Sequence, residues 1–196
     1  MQHFYAYISR LKLIQRWGLM RSTQPENDME HTMQVVFISH GLALLANTKF
    51  NKNIDTELVI ALAAYHDVGE VITGDLPTPV KYNNPTIEQS YKELEKMAND
   101  HLLSMLDEPL KGEYEKYLKP DKNSYEWKLV KAADKIAAYI KCIEEEKAGN
   151  QEFSNAKKSI YQTILNMDMP EVQVFVEESL PSFSLSLDEI SKGINA

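Results

Sequence analysis

Apolar residues in this chain recur at spacings of three and four, and almost nowhere do they alternate with polar ones. That pattern builds helices with one buried stripe and leaves little from which to make a sheet. Phe4, Tyr7, Ile8, Leu11, Ile14 and Trp17 share a first stripe, closed by Gly18. Asp28 stands where an N-cap opens a helix to about residue 47, and Asp55 caps a helix carrying Leu58, Ile60, Leu62 and Ala63 down to His66-Asp67. Gly69, Gly74, Pro77 and Pro79 interrupt residues 68–84. A helix over about 85–106 holds Ile87, Tyr91, Leu94, Ala98 and Leu102 in register, and residues 107–124 read as a polar connection with room for a short helix. Ser124 opens a long helix through Leu129, Ala133, Ile136, Ala137 and Ile140, followed by helices over about 152–167 and 170–180. The expectation is an all-α, single-domain helical bundle spanning 1–196.

At 196 residues the chain has length for one full core and not comfortably for two. A net charge of −8 disfavours long nucleic acid, whose phosphates need clustered Lys and Arg, but leaves room for a small nucleotide in a locally positive pocket. Cys142 is the single cysteine, so no internal disulfide forms, which suits a reducing compartment. No apolar stretch is long enough to cross a bilayer. His3, Arg10, Lys12 and Arg16 interrupt the N-terminal segment, so it does not read as a secretory signal. A cytoplasmic protein without a membrane partner is expected.

His66-Asp67 is the chemically most informative pair, because imidazole nitrogen beside carboxylate oxygen suits a divalent ion of intermediate softness. His31 and Asp134 occupy comparable helical places, and the four would converge across a bundle interior. Alone, His31 is more often a hydrogen-bonded core or surface histidine. Asp134 lies among Ala132, Ala133, Ile136 and Ala137, where an unpaired carboxylate costs several kcal/mol. Lys131 or Lys135 would answer that with a structural ion pair; one divalent ion answers it for all four residues at once. His40 follows His31 by nine residues, roughly 180° around the helix, so the two cannot share a site. His101 falls in a charged stretch and His3 lies near the terminus, so one ion is expected and not two.

Groups suited to a phosphate ester surround these ligands. Glu70 follows His66 by four residues, and a continuing helix would aim its carboxylate from the same face, as a group that handles the proton of the attacking water or of the leaving alkoxide. Arg16 offers a bidentate phosphate clamp, with a surface arginine as the bland alternative. In the stiff loop Thr73-Gly74-Asp75-Leu76-Pro77-Thr78-Pro79, Asp75 can accept from a sugar hydroxyl and Thr78 can donate to phosphate.

The order histidine, His-Asp, distant aspartate resembles the HD-domain phosphohydrolase superfamily. The segments SRLKLIQRWGLMR, YHDVGEVITGDLPTPVKY, VKAADKIAAYIKCIEE and PSFSLSLDEIS resemble its bacterial 5′-deoxynucleotidase branch over most of the chain. The resemblance implies a bundle of the HD type that holds one divalent metal, cobalt, manganese or copper, with zinc, iron or magnesium as further options. It implies hydrolysis of deoxyribonucleoside 5′-monophosphates by a homodimer. By motif, His31, His66, Asp67 and Asp134 would hold metal; Arg16, Trp17, His31, Asp67, Asp75, Leu76, Pro77, Thr78 and Asp134 would meet substrate; Glu70 and Arg16 would be catalytic. The chain departs from that pattern at Met29, where relatives carry a small capping residue whose role Asp28 would assume, and at Gly18 in RWGLMR. Hydrolysis of a deoxynucleoside triphosphate or a signalling nucleotide, or a silent nucleotide-binding module, are the competing functions.

Overall fold

The computed structural model describes residues 3–81 and 83–192; they form helices and turns, with no strand beyond an isolated antiparallel bridge between Gln15 and Asn27. The N-terminal stripe does not run as one helix to Trp17. Helix α1 (Phe4–Ile8) tightens into a 3-10 turn over Ser9–Leu13, and Ile14 is already extended. The cause is a long-range pairing: Arg16 N–H donates to Glu26 O at 2.9 Å and Asp28 N–H to Ile14 O at 3.1 Å. Those bonds satisfy the backbone groups that a continued helix would otherwise have used. Arg16 therefore sits on an extended segment, not at a helix end.

Helix α2 (Asp28–Phe50) is capped by Asn27 and not by Asp28. The Asn27 side chain accepts from the backbone of Met29 and Glu30, and Glu30 reaches back to the Asn27 N–H. Asp28 is thereby moved into the first turn, wholly buried. Asp55 caps α3 (Thr56–Tyr65) by accepting from the Leu58 N–H. Across the Gly/Pro segment the chain makes two single-turn helices, α4 (Glu70–Thr73) and α5 (Thr78–Lys81). Asn84 caps α6 (Pro85–Ser104). The presumed connection contains α7 (Glu108–Leu118), whose Pro109 lies in the first turn, where a missing N–H is harmless. Ser124 caps α8 (Tyr125–Lys147); α9 (Ser154–Leu165), α10 (Pro170–Glu178) and α11 (Leu187–Lys192) follow.

Two apolar clusters position everything else. The larger joins Val35, Ile38 and Leu42 of α2, Val59 and Leu62 of α3, and Leu129, Ile136 and Ile140 of α8, closed by Ile164, Val172 and Val176. Truncating one of its leucines to alanine would cost about 2–5 kcal/mol. The smaller joins Phe4 and Leu11 to Val68, Leu102, Leu103 and Leu118. Ala63 belongs to the first cluster and Val68 to the second, so His66-Asp67 falls where the chain crosses between them. Gly69 permits that crossing: a Cβ there would lie 2.9 Å from Asn99 Oδ1 on α6.

Candidate metal centre and active site

Three helices deliver the ligands. His31 stands in the first turns of α2, His66 terminates α3, Asp67 begins the turn after it, and Asp134 lies midway along α8. One ligand atom from each of His31, His66, Asp67 and Asp134 lies within 4.8 Å of the other three. His31 Nε2 is 3.1 Å from Asp134 Oδ1 and 3.8 Å from Asp67 Oδ2, and His66 Nε2 is 3.0 Å from Asp67 Oδ2. His40 and His101 take no part in the cluster.

The hydrogen bonds show what the cluster lacks. His66 Nδ1 lies 2.8 Å from Ala63 O, and since a carbonyl only accepts, Nδ1 must carry the proton. On a neutral ring Nε2 is then a lone pair, facing the Asp67 carboxylate with no hydrogen bond made. Two acceptors that close repel unless a positive charge, a metal ion or a second proton, lies between them. The donor set of two imidazoles and two carboxylates fits a divalent cation. Burial would raise both aspartates, yet His66, where a second proton sits on its ring, and Lys131 hold Asp67, and Lys131 and His31 hold Asp134, well below the usual carboxylate range. Burial, and then the charge of Arg16, pushes the His31 imidazole down. The ion pair expected as the bland explanation is also present, with Lys131 Nζ 2.9 Å from Asp134 Oδ2. It occupies one oxygen of Asp134 and leaves the other turned to His31.

Arg16 enters from the extended segment. Its Nη1 is 3.7 Å from Asp67 Oδ2 and 3.8 Å from Asp28 Oδ1, and its Nε is 3.4 Å from Glu26 Oε2. Despite burial, Asp67, Asp134 and Glu26 raise its already high pKa. These contacts are long, so the guanidinium keeps donors to offer an anion. Glu70 does not continue α3, which breaks at His66, but the compact turn 66–69 brings it to the centre all the same. Its carboxyl is buried, Oε2 has no partner, and burial followed by the charges of Asp67, Asp28 and Asp75 pushes it up to about 10.

Two residues of this neighbourhood escaped the reading of the sequence. Asp28 is fully buried with both oxygens lacking a hydrogen bond, and burial raises it to about 7 even beside Arg16. Its spacing of three from His31 on one helix was the available signal. Glu26 accepts from Trp17 Nε1 at 2.8 Å and lies 4.0 Å from His31 Nδ1; sitting in a loop, it carried no periodic signal.

In the stiff loop, Asp75 is near enough for its charge to act on Arg16, Asp28 and Glu70. Leu76 and Pro77 are half-buried, and Thr78 is exposed at the start of α5. A cleft of about 640 Å³ opens on the centre, with His66, Asp67 and Glu70 in one wall and Tyr65, Tyr117, Trp127 and Lys131 around it.

A family model described as 5′-deoxynucleotidase YfbR-like matches residues 3–183. The chain belongs to the YfbR-like 5′-deoxynucleotidase family. Within that family it is similar to a 5′-deoxynucleotidase of Yersinia pestis (strain Pestoides F), with 50% identity over 192 residues, 97% of this chain and 98% of the relative. A 5′-deoxynucleotidase of Yersinia pseudotuberculosis serotype O:1b matches to the same extent. The YfbR-like fold is shared with an HD-domain phosphohydrolase of Listeria innocua, at a TM-score of 0.81 and 22% identity, covering 98% of this chain and 97% of the other. It is shared more loosely with the cyanophage S-2L HD phosphohydrolase DatZ, solved with dA and one catalytic Zn2+, at a TM-score of 0.61 and 19% identity over 90% and 96% of the two chains. This YfbR-like chain thus has the all-α fold of those HD phosphohydrolases.

Proposed function

We propose that the chain is a single-domain, metal-dependent phosphomonoesterase that cleaves deoxyribonucleoside 5′-monophosphates to deoxynucleoside and phosphate. One observation carries this: His66 Nε2 faces the Asp67 carboxylate with no hydrogen bond made, inside a four-ligand cluster, with Arg16 and Glu70 beside it. The relatives at 50% identity, named 5′-deoxynucleotidases, supply the substrate class.

His31, His66, Asp67 and Asp134 would hold the ion, which when bound makes water more acidic and offsets charge on phosphoryl oxygens. Cobalt, manganese and copper are the proposed metals, and zinc joins them because DatZ carries it. Arg16 directs its remaining donors at the phosphate and holds it for in-line displacement. Glu70, kept protonated by burial, would give its proton to the leaving 5′-oxygen. Trp17 and the segment Asp75, Leu76, Pro77 and Thr78 form the sugar side, where close packing at the 2′ carbon excludes a ribose hydroxyl. Homodimerisation in the cytoplasm belongs to the same proposal; the exposed stripe of Met29, Met33, Phe37 and Leu44 on α2 supports a second copy.

The test is phosphate release from dAMP, AMP and dATP after metal stripping and add-back. Activity with dAMP that disappears on stripping, returns with metal and exceeds that with AMP is expected. Equal turnover of AMP and dAMP would remove the sugar selectivity. Triphosphate hydrolysis is the second candidate, because Lys81, Lys92, Lys96, Lys119, Lys122 and Lys131 all line the cleft. Pyrophosphate or triphosphate as the product would establish it.

A further inference from the structure

Glu26 touches three parts of the site that come from different places in the chain. Oε2 accepts from Trp17 Nε1 at 2.8 Å and from Arg16 Nε at 3.4 Å, while Oε1 lies 4.0 Å from His31 Nδ1. Trp17 has a φ of 60°, a left-handed backbone that a bulky residue adopts only when its side chain is held. Its indole is held twice, by Glu26 and by an edge contact with Phe153 at 5.2 Å. His31 Nδ1 is buried and has no hydrogen-bond partner, while Nε2 points toward Asp134 and Asp67. A metal on Nε2 forces the ring proton onto Nδ1, and Glu26 is the carboxylate that faces it. A carboxylate on the far nitrogen fixes the tautomer and strengthens the ligand.

We infer that Glu26 is a positioning residue that ties the phosphate-directed Arg16, the sugar-side Trp17 and the metal ligand His31 into one unit. The inference rests on the proposed metal-dependent phosphatase. The pairing of the two loops does not depend on this side chain, because Arg16 N–H donates to the Glu26 backbone carbonyl and Asp28 N–H to Ile14 O. Substituting residue 26 therefore removes the side-chain links and leaves the bridge.

The experiment compares the parent, Glu26→Ala and Glu26→Gln by Co2+ affinity in equilibrium dialysis and by kcat/KM for dAMP and AMP. Glu26→Ala should weaken Co2+ binding by about 10–100-fold and lower the preference for dAMP at least about fivefold. Glu26→Gln keeps an oxygen for the indole, so its preference should stay within about twofold of the parent, but its neutral amide should leave Co2+ binding weak. Parental Co2+ affinity in both variants overturns the link to His31, and an unchanged dAMP preference in Glu26→Ala overturns the link to Trp17. Should Glu26→Ala fail to fold, Co2+ binding by Glu26→Gln decides alone. A parent that binds Co2+ but leaves dAMP intact refutes the proposed function, and the affinity comparison still judges Glu26.

Discussion

Glu145 and Asp134 are buried carboxylates on the same helix, about three turns apart, and their surroundings could hardly differ more. Glu145 accepts from the Thr23 N–H at 2.8 Å, the Thr23 hydroxyl at 2.7 Å, Asn150 Nδ2 at 2.8 Å and Lys141 Nζ at 2.5 Å. Lys141 also donates to Gln24 O, so this ion pair fastens the 23–24 loop to α8. Burial would raise Glu145, but Lys141 and Thr23 hold it far below the usual range. Around Asp134, by contrast, His31 Nδ1, His66 Nε2, Glu70 Oε2 and both oxygens of Asp28 make no hydrogen bond, although Arg16 stands 3.8 Å from Asp28 Oδ1 and Asp67 Oδ2 3.0 Å from His66 Nε2. A buried charge with every lone pair answered is part of the scaffold. Buried polar atoms that face one another unanswered mark a place where something else binds.

The contrast can be broken most directly at the ligands. Asp67→Asn should lower phosphate release from dAMP by at least about 10³-fold and abolish bound metal, with little change in the melting temperature of metal-stripped protein. Retained turnover would mean the unanswered atoms serve no catalysis. Glu145→Ala should do the opposite, lowering stability in urea by about 3–5 kcal/mol while each folded molecule keeps most of its kcat. A kcat loss out of proportion to the stability loss would merge the two regions into one.

Acidity separates them further. The pKa of Asp28 rises from 3.8 to about 7, so its contribution in the metal-free protein is fully present below pH 3.8 and is lost as pH climbs through 7. Glu145 is depressed instead, so its contribution is present above its ordinary 4.5 and is lost as pH falls toward the folded value. Asp28→Asn should therefore stabilise metal-free protein at pH 8 by about 1–3 kcal/mol, measured by urea unfolding, and change little at pH 4. A pH-independent effect would show that Asp28 is ionised at no cost. The smallest effect calibrates the others: Asn27→Ala removes the α2 cap for about 1 kcal/mol, read as a shift in the urea midpoint.

Much of this was legible in the residue order, for identifiable reasons. Ser124 and Asp55 cap where they were expected, because a short polar side chain before an apolar 3.6-residue period has few other uses. The first stripe misled because Ile14 and Trp17 keep helical spacing while the Ile14 and Arg16 backbones pair with Asp28 and Glu26 and Trp17 turns left-handed. Pro109 disguised α7, since a proline in the first turn looks like a breaker. At the site, His31, His66, Asp67 and Asp134 come together as the spacing suggested. Glu70 arrives by a tight turn and not by the helical projection reasoned for it. Glu26 carries no signal in its loop, and for Asp28 the spacing of three from His31 reads first as a helix cap, because burial gives both their role.

The carbonyl of Ala63 that accepts from His66 belongs to the last turn of α3. Fraying of that turn and release of the imidazole are accordingly one motion. Filling the centre should slow amide exchange at the end of α3, so occupancy could be followed by deuterium uptake in a peptide covering that turn, without substrate or a coloured ion.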